Sequence, residues 1–263
     1  MSKQQRYYYL VKFQYLGFRY HGWQVQPNVK TVQKMVEKTL SFVFKHSNFK
    51  VLGASRTDMM VSANESAFEL FVFERLEEKD LKERLNKSLP SDIRILGIEE
   101  VTEQFNIIKD SKEKQYHYLF SFGEKNHPFC APFMQGYMEE LDVELMQKGA
   151  KLFEGTHNFQ RYAYKPSENT IFEREIFLCE IVENKELTAS FFPKRSYFLK
   201  VKGTGFMRYQ IRLMMGVLFQ LGKGEVSLDF IKDTIENPSP DTLKELAPAS
   251  GLQLFGFQFK DIS

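Results

Sequence analysis

YYYLVKFQY at residues 7–15, followed by TVQKMVEKTLSFVFKH at 31–46, is the stretch that decides the fold. The first segment has the aromatic and β-branched make-up of a strand. The second opens on Thr31, whose hydroxyl suits a helix N-cap, and sets Val32, Met35, Val36, Leu40, Val43 and Phe44 on one face. Working outward, strands are expected at 49–54 and 66–73 (SAFELFVF). A helix is expected at 77–88, carrying Leu81 and Leu85 and stopped by Pro90, and another strand at 92–100. The order βαββαβ is that of a ferredoxin-like split unit: an antiparallel sheet with helices on one face and the other face free to meet a ligand.

The remainder repeats this order loosely. Strands are expected near 114–122, 171–182, 187–192, 196–202 and 252–259, and helices near 142–153, 205–221 and 227–236, the last capped by Ser227. The class is therefore α+β, built from two ferredoxin-like (RRM-like) halves. No Gly/Ser linker marks a boundary, which we place between Thr102 and Lys112, giving halves at 1–104 and 105–263. Halves joined so tightly are expected to form a continuous antiparallel sheet with a central cleft, where ligand sites tend to form.

At 263 residues, 43% hydrophobic and 15% aromatic, the chain can bury a real core, which argues against disorder. Cys130 and Cys179 stand far apart without metal-ligand spacing, so a zinc site or disulfide framework has no support and reduced thiols in a cytoplasm are expected. The N-terminus has no signal-peptide core. The most apolar stretch, Phe206 to Leu221, is interrupted by Arg208 and Arg212 and falls short of a membrane span.

Net charge is only +2, but it is unevenly spread. Residues 1–60 hold ten Lys and Arg, Lys3 among them, against Glu37 and Asp58, and residues 61–110 are acidic. A second basic stretch comprises Lys194, Arg195, Lys200, Lys202, Arg208, Arg212 and Lys223 against Glu225. Two such regions could line a cleft for a phosphate backbone, or be ordinary solvated lysines.

Chemistry is concentrated at Gly53-Ala54-Ser55-Arg56-Thr57-Asp58, between two expected strands. A loop carboxylate beside an arginine can be held ionised and used as nucleophile or base. Taken alone, the same spacing also describes an Asx-stabilised turn with a surface ion pair. The sole tryptophan lies in Tyr20-His21-Gly22-Trp23-Gln24-Val25-Gln26, ahead of Thr31-Val32-Gln33. Read on its own, Trp23 is a core anchor rather than a base-stacking platform.

Together these segments resemble the tRNA pseudouridine synthase A (TruA) family, with its GWQ loop, TVQ helix start and RTD motif. The likeness runs co-linearly through Leu85-Asn86, Leu89 to Ile93, Lys114-Gln115-Tyr116-His117-Tyr118 and Phe153 to Phe159. It continues through Gly203 to Arg212 with Gly216, and Ala247 to Leu252. The resemblance implies a pseudouridine synthase fold, a homodimer, no cofactor and no metal, and as substrate the uridines of the tRNA anticodon arm around positions 38 to 40. It makes Asp58 the catalytic aspartate, Arg212 its cationic partner and Tyr116 the ring that stacks on uracil. It also makes Arg56 the residue that fills the place of the departing base, with Gln24 and Arg208 as further RNA contacts.

Two departures flank the catalytic loop. Where the family reads RTD-A-G-V-H-A, this chain has Met59, Met60, Val61 and Ser62, and its F-H-A-R becomes Phe105-Asn106-Ile107-Ile108. Replacing glycine by Met60 suggests altered backbone geometry or a shallower pocket. The departures also leave two alternatives: a non-catalytic tRNA-binding or folding protein on the same scaffold, or a synthase with another RNA target.

Overall fold

The computed structural model describes residues 5–259; Lys3, counted in the first basic stretch, lies outside them. The chain divides into two compact units, one running through Lys112 and taking in the chain again from Leu254, the other spanning Glu113–Gln253.

The first unit contains β1 (Tyr7–Tyr15), α1 (Val32–Phe44), β2 (Lys50–Gly53), β3 (Ser62–Val72), α2 (Glu78–Ser88) and β4 (Ile93–Val101). Pairing is antiparallel throughout, in the order β4-β1-β3-β2, the arrangement of a split βαβ unit. Thr31 caps α1 by accepting the Lys34 N–H, and the helix stops at Lys45, which takes a left-handed conformation. Leu89 ends α2 just before Pro90, whose ring cannot continue a helix. One sheet face is closed by the helices: Tyr9, Val11, Phe13, Phe68 and Leu70 are buried, as are Val32, Val36, Leu40, Leu81 and Leu85.

The opposite face is not free as the sequence suggested. Leu10 and Ala67 pack with Ile107 and with Phe105, Phe257 and Phe259, so part of this face is a second small core. The reason is local. Glu69 is buried on that face and accepts the Ile107 N–H at 3.4 Å, which draws the loop after β4 onto the sheet. Burial raises the pKa of this carboxyl.

The second unit contains β5 (Ser111–Phe122, from Glu113 onward), β6 (Gln135–Tyr137), α3 (Val143–Lys151), β7 (Gly155–Asn158), β8 (Glu173–Glu183), β9 (Tyr197–Gly203), α4 (Gln210–Gly222) and α5 (Leu228–Glu236). Its antiparallel ladder runs β5-β9-β8-β7, with β6 added in parallel at the end of β5. The relative order of β5, β9 and β8 matches that of β1, β3 and β2, so the loose repeat is real in topology. A last strand, β10 (Leu252–Phe259), spans the unit boundary.

Two sequence expectations change here. The helix expected from 205 begins at Gln210, because Tyr209 is left-handed (φ 65°) and the Gln210 side chain accepts the Met207 N–H. Residues 187–192 form turns rather than a strand. Asn184 accepts the N–H groups of both Glu186 and Leu187, and Phe191 and Phe192 pack onto a cluster around Cys130. Residues Gly155–Asn158, which no expectation assigned to a strand, form the short strand β7.

Candidate active site

In the first unit, strand β2 ends at Gly53, where any side chain would collide with the Trp23 indole. Trp23 is 3% exposed and stacks among Phe13 and Phe68, so it is the core anchor its residue type suggested. Anchoring the indole fixes the 20–26 loop, and that loop in turn holds the Arg56–Asp58 segment. The Trp23 N–H donates to the Thr57 carbonyl (3.2 Å), the Met60 N–H to the Tyr20 carbonyl (3.0 Å), and the Val61 N–H to the Asp58 carbonyl (3.2 Å). The Tyr15 and Thr57 hydroxyls are bonded at 2.8 Å. Gly22, at φ 83°, is required for this contact: a Cβ there would strike the Thr57 carbonyl oxygen.

Asp58 is thus half-buried at the head of a tight turn pinned on both sides by backbone bonds. Arg56, two residues before it, and Gln24, on the loop that holds it, are exposed, and Met59 is 51% exposed. Met60 corrects an expectation. Its φ is 68°, so the backbone keeps the left-handed conformation that glycine favours, and methionine bears the strain rather than reshaping the turn. Ser62 faces inward, 8% exposed, and accepts the Gly17 N–H at 2.9 Å.

In the second unit, Tyr116 lies on β5 opposite Val201 of β9, and its ring meets Phe206 edge-on at 5.4 Å. Two residues earlier, Lys114 is opposite Gly203, and burial lowers its pKa. The chain then turns through Gly203–Tyr209 into α4. There two guanidinium groups lie over the Tyr209 ring, Arg208 at 5.0 Å and Arg212 at 4.9 Å. Arg212, otherwise on an apolar helix, donates from Nε to the Ala247 carbonyl (2.7 Å), while the Ala247 N–H donates to the Arg212 carbonyl. The Ala247–Leu252 segment is itself held by the Tyr118 hydroxyl, which donates to the Pro248 carbonyl at 2.8 Å. These bonds leave the guanidinium in one orientation, the condition for presenting a fixed cation.

The structure therefore groups Asp58, Arg56 and Gln24 on one pair of interlocked loops, and Tyr116, Arg208 and Arg212 around the Gly203–Tyr209 turn. The basic stretches are less uniform than their sequence implied. Arg19 pairs with Asp92, Lys12 with Glu99, Lys200 with Glu186 and Lys202 with Glu113. Exposed Arg56, Lys34 and Lys38 remain at the surface of the first unit, and exposed Arg208 lies across aromatic rings in the second. Sequence reasoning missed Tyr164 and Tyr209, whose rings meet tilted at 4.7 Å, and Arg174, which lines a groove with Tyr164. The only sequence signal of Arg174 was a cation on a strand. Among the described residues there is no cluster of three or more His, Cys, Asp or Glu able to hold a metal, and no helix long and apolar enough to cross a membrane.

Comparison with known proteins converges on one family. Residues 12–108 and 150–260 match the family described as tRNA pseudouridine synthase, which takes in Asp58, Arg56, Gln24, Arg208 and Arg212 but not Tyr116. A relative named tRNA pseudouridine synthase A 2 from Bacillus cereus is 31% identical over 252 residues, covering 95% of this chain and 99% of the relative. A tRNA pseudouridine synthase A from Thermosipho melanesiensis is 33% identical over 254 residues, with the same coverage. A tRNA pseudouridine synthase A 2 from Desulfotalea psychrophila is 30% identical over 259 residues, covering 94% and 97%.

Proposed function

We propose, from the premise that this chain belongs to the tRNA pseudouridine synthase family, that it isomerises uridine to pseudouridine in the anticodon stem-loop of tRNA, around positions 38 to 40. The chain is an isomerase acting on tRNA. Substrate and product have the same atoms: the N1–C1′ bond breaks, the uracil turns, C5 joins C1′, and the proton lost from C5 is matched by one gained at N1. No oxidant, reductant or co-substrate enters that balance. What the protein must supply is a fixed carboxylate near the sugar, a cation to keep it ionised and a surface for the detached base.

The observation that carries this reading is the turn at Asp58. A carboxylate held at a turn by three backbone hydrogen bonds meets its substrate without first being ordered, which is how positioned groups lower barriers. Such a group serves as nucleophile at C1′, or as base while stabilising a cationic sugar. In this reading Arg212, oriented by Ala247 and Tyr209, is the cation, and Tyr116 is the stacking ring for uracil. Arg56, exposed two residues before Asp58, takes the place of the flipped nucleotide in the stack, while Gln24 and Arg208 contact the RNA. The two halves at 1–104 and 105–263, a homodimer, the absence of a cofactor and a cytoplasmic location belong to the same reading.

Mapping pseudouridine in cellular tRNA with and without the protein tests it. Loss of signal within the anticodon stem-loop on deletion is expected. An unchanged anticodon stem-loop, with signal lost elsewhere, would move the target while keeping the chemistry.

A further inference from the structure

Tyr164, Lys165, Ser167, Thr170, Arg174 and Arg208 line a groove of about 430 Å³ in the second unit. Arg174 reaches it from β8, paired across the ladder with His157 of β7. Its Nε is closed off from solvent and has no hydrogen-bond partner among the described residues, and its Nη1 makes only a long 3.4 Å bond to the Glu173 carbonyl. Burial also lowers its pKa, as expected of a cation with too little solvation. A guanidinium in this condition gains most from an anion that can use its unmatched donors.

The rest of the groove has the same sign. Arg208 is exposed and lies over the Tyr164 ring at 5.4 Å, and the Tyr164 N–H donates to the Arg208 carbonyl, tying the loop to the start of α4. Lys165, exposed and held at φ 46°, places its ammonium 5.4 Å from the same ring. No Asp or Glu is among the lining residues. Three cations with no acid among the lining residues, two of them over an aromatic ring, match a polyanion with planar bases better than a small carboxylate.

We propose that this groove is a phosphate subsite for the backbone of bound RNA, with Arg174, Arg208 and Lys165 meeting the phosphodiester and the Tyr164 ring meeting an adjacent nucleotide. The proposal rests on the reading that the chain binds tRNA. Because backbone contacts carry no sequence information, the subsite holds the RNA in register rather than choosing the uridine.

Salt titration of tRNA binding, from about 0.05 to 0.2 M, tests it on the full-length protein and on Arg174→Gln, Lys165→Gln and Arg208→Gln. Each variant is expected to bind about tenfold more weakly at about 0.1 M salt, and to lower the slope of log affinity against log salt by about one. Lys165 is exposed and has no part in the catalytic reading, so Lys165→Gln decides the matter even if a melting curve shows that Arg174→Gln does not fold. Steep salt dependence in the unaltered protein, with slope and affinity kept in the folded variants, would overturn the subsite alone. So would a loss confined to Arg174→Gln, which would make that residue structural. Failure of the unaltered protein to bind tRNA would remove the tRNA reading and the subsite with it.

Discussion

The Ser62 hydroxyl accepts the N–H of Gly17 at 2.9 Å in a buried position, joining the start of β3 to the loop that follows β1. Gly17 has no room for a side chain, since a Cβ would collide with the Val61 carbonyl, so the two segments are locked by contact as well as by the hydrogen bond. Ser62→Ala leaves a buried N–H unmatched and should lower stability by ~1–3 kcal/mol. Denaturant unfolding measures this directly. A loss near zero would mean that water replaces the hydroxyl and that the lock is not needed.

Met60 makes an unusual ordering of variants testable. A left-handed conformation costs a non-glycine residue ~1–2 kcal/mol, which glycine relieves, while glycine also raises the entropy of the unfolded chain by ~0.5–1 kcal/mol. Met60→Gly should therefore stay within about 1 kcal/mol of the parent, and Met60→Ala, which keeps the strain and loses the contacts, should be the less stable of the two. A drop of ~2–5 kcal/mol in the glycine variant would mark Met60 as a core residue instead. Its site-resolved modification profile should shift more than its tRNA affinity, since the residue is two positions from Asp58.

Acid should weaken the fold through His117. This side chain is 1% exposed, and burial, aided by Lys200 and Lys202, lowers its pKa from 6.5 to about 4. Between those values the unfolded chain binds a proton that the folded chain refuses, so stability falls as pH falls through that window. By about pH 4 the loss should be on the order of 3 kcal/mol. Unfolding measured from about pH 7 to 4 on the parent and on His117→Gln should show a flatter acid limb in the variant, whatever its absolute stability. Parallel acid limbs would show that other groups carry the effect.

The legible and illegible parts of the sequence differ in physical kind. Helix α1 was readable because Thr31 and the Val32–Phe44 stripe agree on it, and β1 because an alternating buried strand has few other conformations. Gly203-Thr204-Gly205 misled the reading of α4: the apolar run continues to Phe206, but a left-handed Tyr209 delays the helix. Residues 187–192 looked like a strand because Phe191 and Phe192 are apolar, yet the side chain of Asn184 folds them into turns. Asp58, the proposed catalytic residue, was legible as a motif, while the lock between Gly22 and Thr57 that positions it depends on two loops whose contact no local pattern records. The unsatisfied state of Arg174 was invisible for the same reason, since it is defined by what surrounds the guanidinium.

Asp58 is proposed to perform the bond exchange. The most direct measurement is a single-turnover assay of Asp58→Asn on an anticodon stem-loop substrate, with pseudouridine quantified position by position and tRNA affinity measured alongside. Asparagine keeps the size of the side chain but removes its charge, so no pseudouridine should form while tRNA affinity stays within a few-fold of the parent. Formation of pseudouridine at the parental rate would remove Asp58 from the chemistry and contradict the account.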